Sequence, residues 1–595
     1  MKRFLTRRAL ILCAATATLL APALAQAPQT LPERSRRAVP VEGAPPIISA
    51  NARILPAIAK NGMVVSQEAK ASRIGVEVLK RGGNAVDAAI ATGFALAVTL
   101  PRAGNIGGGG FMLVHLGGTK QTIAIDYRET APADTPRDVF LDAAGNFVPS
   151  RSQSSGLAVG VPGTVAGFEL AHRKYGSGKL TLAELIAPAI ALARAGIEVE
   201  DDLADSLPFI AKRLAQYPSS RAIFLKGEAK PLERGDRLVQ EDLARSLERI
   251  AASGARGFYE GETAEKIVAA VREHGGRMTL EDLRTYEVKE RQPVRGYFRG
   301  REIISMPPPS AGGALIAQML NVLEGFQLRE LGHNSAAAIH RMAETMKFGY
   351  ADRAEHMGDP DFVRMPIGAL TSRKYAEVLR SKISMEQATP AAQIRALDLA
   401  PYESDQTTHF SVVDAQGNAV SNTYTLNFSY GLGLVAPGTG ILLNNELDDF
   451  AAKPGAPNAY GLTGGEANAP GPRKRPLSSM SPTMVFRDGQ LEIVTGSPGG
   501  SRIITIVLQV ILNIVEFGMN AAEATVAPRI HHQWAPDQLR IENGISADTV
   551  ALLRKMGHDV REQPTIGSAQ TIHRSEGWLF GASDTRQRGG GAIGY

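Results

Sequence analysis

The sequence predicts an α/β protein, its 595 residues having room for two to four average domains or for one large unit with a substantial core. Three observations bear on it. Apolar residues make up 44% of the chain and charged residues 21%, a balance that favours a soluble globular protein over a disordered one. Helical periodicity dominates before residue 406, and strand composition with hairpin turns follows it. No internal repeat or low-complexity tract interrupts either part.

The first 25 residues are expected to be removed. Lys2, Arg3, Arg7 and Arg8 form a basic head, Ala9 to Leu20 an apolar stretch, and Ala23-Leu24-Ala25 an A-x-A cleavage site. This predicts an export signal over 1–25 and a periplasmic or secreted protein, with the general and twin-arginine routes both compatible with Arg7-Arg8. A proline-rich polar leader follows over 26–48. Removing the four basic signal residues lowers the formal charge from +5 to +1, so the pI near 9.1 points to no nucleic-acid partner. The single cysteine, Cys13, leaves with the signal. That excludes disulfides, thiolate metal sites and a cysteine nucleophile from the mature chain. His531-His532 lack ligand spacing and there is no His-Glu-x-x-His, so no metal and no other cofactor is expected.

Ser66 to Arg81 predicts a helix with Ser66 as its cap, stopped by Gly82-Gly83. Ala85 to Val98 is apolar nearly all round, the pattern of a buried helix. Further helical patterns fall near 181–195, 238–252, 262–274, 312–325 and 334–353. Ile503 to Phe517 carries Thr505, Gln509, Asn513 and Glu516 along one stripe, and is too short to span a bilayer. No other segment reads as a membrane span.

Strand composition over 408–413 and 419–425 flanks Gly417-Asn418. A three-residue loop with glycine in the left-handed position pairs Asp414 with Asn418, and counting outward sets Thr407 opposite Thr425. Ser481 to Phe486 and Leu491 to Thr495 predict a second hairpin around Asp488-Gly489. Between the hairpins, residues 451–476 hold five glycines and five prolines, a long connection of the kind used as a lid or binding loop.

Gln406-Thr407 is the most informative dipeptide. Thr-Thr ahead of a strand is ordinarily β-sheet composition. A threonine hydroxyl becomes a useful nucleophile only beside a base, and its own α-amine serves once the chain is cut between Gln406 and Thr407.

The chain resembles the γ-glutamyltranspeptidases (glutathione hydrolases) over nearly all of the mature sequence. The resemblance rests on Gly82 to Ala89, Gly104 to Met112, Asp126 to Glu129, Val161 to Gly167, Pro307 to Gly313, Leu443 to Phe450 and Pro476 to Pro482, in family order around Gln406-Thr407-Thr408-His409. It implies a four-layer αββα sandwich of the N-terminal nucleophile hydrolase type. It also implies self-cleavage into a large subunit, 49–406, and a small one, 407–595, that stay together as a heterodimer. By the same resemblance Thr407 is the nucleophile, Thr425 orients it, and Gly499 and Gly500 supply the oxyanion hole. Arg128, Ser478 and Ser479 hold the α-carboxylate of a γ-glutamyl donor such as glutathione. Asn427, Glu446 and Asp449 hold its ammonium, and Tyr460 covers it. Water, an amino acid or a dipeptide is the acceptor. Glu446 stands where some relatives carry glutamine.

The run Gly107 to Gly110 lacks a following Lys-Ser/Thr, so it predicts tight packing beside the site rather than a nucleotide loop. Two rival functions share these residues. A glutaryl-type acylase on the same scaffold needs no ammonium pocket, and a non-catalytic exported binding protein predicts an intact chain.

Overall fold

Side-chain alternation along the strands decides the layering. In Gly62–Ser66, Val64 packs into one core while Met63 and Val65 pack into another. In Gly109–Leu116, Met112 and Val114 join the first core, and Phe111 and Leu113 the second. A sheet apolar on both faces needs cover on both sides. The computed structural model describes residues 54–394 and 407–595, apart from Glu228, Pro454 and Tyr460. The expected signal, the leader, Gln406 and Tyr460 lie outside the described residues.

Two seven-stranded sheets, antiparallel throughout, stack face to face. One runs in the order Gly591–Gly594, Gly62–Ser66, Thr408–Asp414, Ala419–Thr425, Gly109–Leu116, Gln121–Tyr127, Lys289–Arg291. The other runs Ala57–Ala59, Trp578–Ser583, Gln570–Ser575, Gln490–Thr495, Thr483–Arg487, Arg301–Ser305, Val294–Phe298. Helices Ala69–Lys80, Ala85–Thr99 and Thr164–Tyr175 cover the outer face of the first sheet, and Gly312–Leu323 and Ala521–Val526 that of the second. This is the αββα sandwich. Both sheets contain strands from before and after residue 406, and both cores draw side chains from the two stretches.

Most helices fall where periodicity predicts them, with one cap displaced. Ser66 ends a strand, and Glu68 caps the first helix by accepting from Lys70 N and Ala71 N at 3.0 and 2.9 Å. A carboxylate two residues on displaces the serine because it takes two amides and lies at the positive end of the helix dipole. The second helix is buried at all 15 positions and opens on a capping box between Asn84 and Asp87. In the second hairpin, pairing begins at Thr483, since Pro482 has no N–H to give to a ladder. Asp488 and Gly489, at φ 50° and 71°, make its turn. The polar stripe of Ile503–Val515 faces inward: Gln509 bonds the backbone of Ile530 in both directions and Asn513 donates to Ala524 O.

Gly93 tests the packing. The Phe94 and Phe168 rings meet edge-on at 5.3 Å, and a Cβ on Gly93 would stand 2.5 Å from Phe168 ring atoms. Helix propensity favours alanine over glycine by about 1 kcal/mol, while overpacking a core costs roughly 1–3 kcal/mol. The clash therefore prevails. Gly93→Ala is expected to lower the melting temperature; an unchanged or raised value would show that Phe168 yields freely.

Candidate active site

The first hairpin sets the site. Thr408 pairs with Tyr424 and Val413 with Ala419, and Asp414 N bonds Asn418 O at 3.0 Å across a loop with Gly417 at φ 80°. The register is the one the loop length predicts. Extended by one residue it brings the Thr407 hydroxyl to Thr425 Oγ1 at 3.3 Å. Asn427 N donates to Thr425 Oγ1 at 3.0 Å, with Asn427 itself in the left-handed region.

Alternation carries the same face inward. His409 and Ser411 follow Thr407 along its strand, opposite Thr423 and Ser421. Ser411 Oγ donates to Gln570 O and Ser421 Oγ to Thr495 O, so hydroxyls stitch the two sheets together. His409 has both ring nitrogens taken, by Thr423 Oγ1 at 2.8 Å and Ser411 Oγ at 3.1 Å. Burial pushes its pKa down to about 3, so the ring is neutral. Despite lying two residues from Thr407, it serves the sheet interface.

A narrow cleft opens at this end of the sandwich. Thr407, Thr425, Asn427, Arg128, Glu446, Asp449, Ser478, Ser479 and Gly500 all line it. Arg128 is fully buried. Its guanidinium donates to Glu446 Oε1 and, at 2.5 Å, to Asp449 Oδ2, and Nε donates to Pro476 O at 3.2 Å. Burial disfavours the Arg128 cation, but Glu446, Asp449 and Glu129 outweigh it and hold the charge. Burial in turn pushes the Glu446 and Asp449 carboxyls up, with Arg128 opposing. Ser478 is clamped by the Pro307–Gly313 loop: its N–H donates to Pro309 O, and its C=O accepts from Ala311 N.

Gly499 and Gly500 adopt φ of 137° and 51°, values that disfavour a side chain. Their turn leads into Gly500–Arg502 and the helix Ile503–Val515. Gly500 faces the cleft, and Gly499 faces an adjoining groove with Pro498 and Gly567. The run Gly107 to Gly110 is packing, as its sequence predicts: a Cβ on Gly108 would lie 2.0 Å from Thr425 O. The long connection supplies Leu462 to the cleft wall, and its Asn458 donates to Asp449 Oδ1 at 3.0 Å.

Two charged groups escaped the sequence reading. Glu129, beside Arg128, is fully buried, and neither carboxyl oxygen accepts a hydrogen bond. Burial, only partly opposed by Arg128, pushes its pKa up to about 7. Arg353 donates to Ser479 Oγ at 3.3 Å, and burial lowers its pKa to about 10. Its helix, Ala336–His356, is buried on nearly every side, so the hydrophobic pattern does not distinguish a cleft-facing position.

Known proteins match most of the chain. The gamma-glutamyltranspeptidase family model matches residues 71–594. The chain is 54% identical over 533 residues to a glutathione hydrolase proenzyme of Escherichia coli strain K12, covering 89% of this chain and 91% of that protein. An acylase ACY 1 proenzyme of Pseudomonas sp. strain V22 is 37% identical, covering 90% and 94%. Among solved structures, a cephalosporin acylase from Bacillus halodurans superposes with a TM-score of 0.81 at 28% identity, over 93% of this chain and 99% of that one. A Helicobacter pylori gamma-glutamyltranspeptidase gives 0.53 at 46% identity, over 55% and 92%.

Asp448, bonded by the long connection through Ala459, makes the electrostatics testable. Ser152 Oγ and Ala459 N donate to it, yet burial pushes its pKa up to about 7. A carboxyl raised above its unfolded value, about 3.9, stabilises the fold fully below that value and loses this contribution as pH rises to about 7, at most roughly 4 kcal/mol. Asp448→Asn should therefore flatten the fall in melting temperature between pH 4 and 7. Parallel curves for the two proteins would refute the assignment.

Proposed function

The chain belongs to the γ-glutamyltranspeptidase family, and we propose on that premise that it cleaves glutathione and other γ-glutamyl amides through an ester on Thr407. The observation that carries the mechanism is the chemistry of the cleft wall. Among the described residues lining it, none is a histidine, lysine or cysteine. Glu446 and Asp449 are engaged by Arg128, and His409 by two hydroxyls. The base is then the α-amine of Thr407, released by cleavage after Gln406 and titrating near 8 in reference peptides.

In the precursor, Thr407 Oγ1 attacks the carbonyl carbon of Gln406 and the peptide nitrogen leaves as the new α-amine. Water hydrolyses the ester, giving a large subunit, 49–406, and a small one, 407–595, held together as a heterodimer. In turnover the same oxygen attacks the γ-carbonyl. Its proton passes to the α-amine and then to the departing amine. Water or the amine of an amino acid or dipeptide next attacks the ester, regenerating the Thr407 hydroxyl. Thr425 orients that hydroxyl, and backbone N–H groups at Gly499 and Gly500 receive the oxyanion, each such donor lowering the barrier by about 3–4 kcal/mol.

A γ-glutamyl donor carries the charges that complement this pocket. Its α-carboxylate takes Arg128, with Ser478 and Ser479, and its ammonium takes Glu446, Asp449 and Asn427. Bound there, the zwitterion exchanges the Arg128 ion pairs for its own. Tyr460 closes the lid side. The signal over 1–25 directs the enzyme to the periplasm or beyond. No helix among the described residues is long and apolar enough to cross a membrane.

Denaturing mass spectrometry of the purified protein is expected to give two chains in a mass ratio of roughly two to one, the smaller beginning at Thr407. Thr407→Ala should give one uncut, inactive chain; a processed and active variant would sink the mechanism. Arg128→Ala should lower kcat/KM for a γ-glutamyl anilide by at least a hundredfold, as expected for losing a buried charged partner, while cleavage proceeds. Equal rates on γ-glutamyl and glutaryl anilides would instead favour the acylase reading, since only the first carries an ammonium.

A further inference from the structure

His340, Glu344 and His558 form a second chemical cluster outside the cleft. All three are buried, and one ligand atom from each lies within 4.8 Å of the others. His340 and Glu344 stand one turn apart on Ala336–His356, sharing a helix face. His558 comes from the segment after Ala547–Lys555. Arg353, thirteen residues along the helix from His340, touches the cleft. At 1.5 Å per residue the two are about 20 Å apart along the axis, so the cluster is separate from the reacting atoms.

The hydrogen bonds prepare it for a cation. His340 Nε2 lies 2.7 Å from Ser384 O, an acceptor only, so Nε2 carries the proton. His340 Nδ1, 2.8 Å from His558 Nε2, is then a lone pair turned into the cluster. A ligating histidine is typically oriented in this way, its far N–H held by a carbonyl. Thr389 N donates to Glu344 Oε2 at 3.1 Å, and Lys347 Nζ lies 2.9 Å from Oε1, which fixes the carboxylate.

We propose that His340 Nδ1, His558 Nε2 and Glu344 bind a divalent transition metal, zinc being the natural fit to two imidazoles and a carboxylate. In the metal-free protein the N–H of His558 Nε2 bridges the two rings. On binding, that proton moves to His558 Nδ1, so the ring stays neutral and both facing nitrogens present lone pairs. Tetrahedral zinc, at about 2.0–2.1 Å from each nitrogen, needs the rings to part by about half an ångström from 2.8 Å and to tilt so that both lone pairs meet at the ion. The Lys347 ammonium, 2.9 Å from Glu344 Oε1, competes with the ion for that carboxylate.

The metal's role is a staple. Ser384 and Thr389 belong to the last described stretch before residue 407, where Ala391 N also donates to Asp537 Oδ2 and Ala388 N to Met556 O. A bound ion would fasten this stretch and the helix Ala336–His356 to the C-terminal part of the chain through His558.

The purified protein, stripped with chelator, should take up one equivalent of Co²⁺, with the visible absorption of four- or five-coordinate cobalt, and yield it to Zn²⁺. His340→Gln and His558→Gln keep a hydrogen-bonding amide at each position and should each weaken binding at least a hundredfold. Their circular dichroism and turnover report whether they remain folded. Absence of stoichiometric uptake by the unaltered protein overturns the proposal, and so does unchanged cobalt absorption in both folded variants.

Discussion

The register of one hairpin governs the site. Thr407 and Thr425 meet only because three residues, Ala415-Gln416-Gly417, close the loop between their strands. A slip of one residue would turn Thr407 into the apolar core of Phe410, Val412 and Tyr424. Asp414 guards against the slip. Its carboxylate accepts from Gln416 N, Asn418 N and Asn418 Nδ2 within the hairpin, and from Ala85 N at the start of the buried helix. Loop, strand and helix are thereby fixed to one another, and the alternation of side chains does the rest. Along the hairpin Ser411 and Ser421 face the second sheet, while Phe410, Val412 and Tyr424 face the helices.

Charge in the cleft follows the same economy of position. A buried guanidinium with too few partners is unstable, and a carboxylate in the same place more so. Arg128 and its acids solve both problems together while leaving Glu129 and one oxygen of Glu446 without hydrogen bonds. Such orphans are costly in a closed interior. They suit the proposed zwitterionic ligand, whose two charges would each displace an existing ion pair.

What the sequence made legible was local. Helix patterns, the two hairpin turns and the glycine run could be read because each is decided by neighbours within a few residues. The misplaced first cap, Ser66 for Glu68, shows where local reasoning runs short, since two residues competed for the same amides and only the end of a strand in Ser66 decided between them. Long-range placement was legible only through resemblance to a family. Nothing near Arg128 announces that its partners are Glu446 and Asp449, more than 300 residues away. Arg353 and His340 stayed hidden for a related reason: on a helix buried nearly all round, the hydrophobic pattern does not separate a functional face from a packed one.

The layout also explains why a cut after Gln406 is compatible with a stable enzyme. Gly62–Ser66 lies between Gly591–Gly594 and Thr408–Asp414, and Gly109–Leu116 pairs with Ala419–Thr425. Every one of these ladders joins the N-terminal stretch to the C-terminal one. Both large cores likewise draw side chains from both sides of the cut. Separating the pieces would expose two sheet interiors and break central ladders, a cost far above the entropy gained by freeing two chain ends. The proposed cleavage would therefore change the chemistry of one residue, turning the amide nitrogen of Thr407 into an amine, while the strands that hold its hydroxyl stay where the hairpin set them.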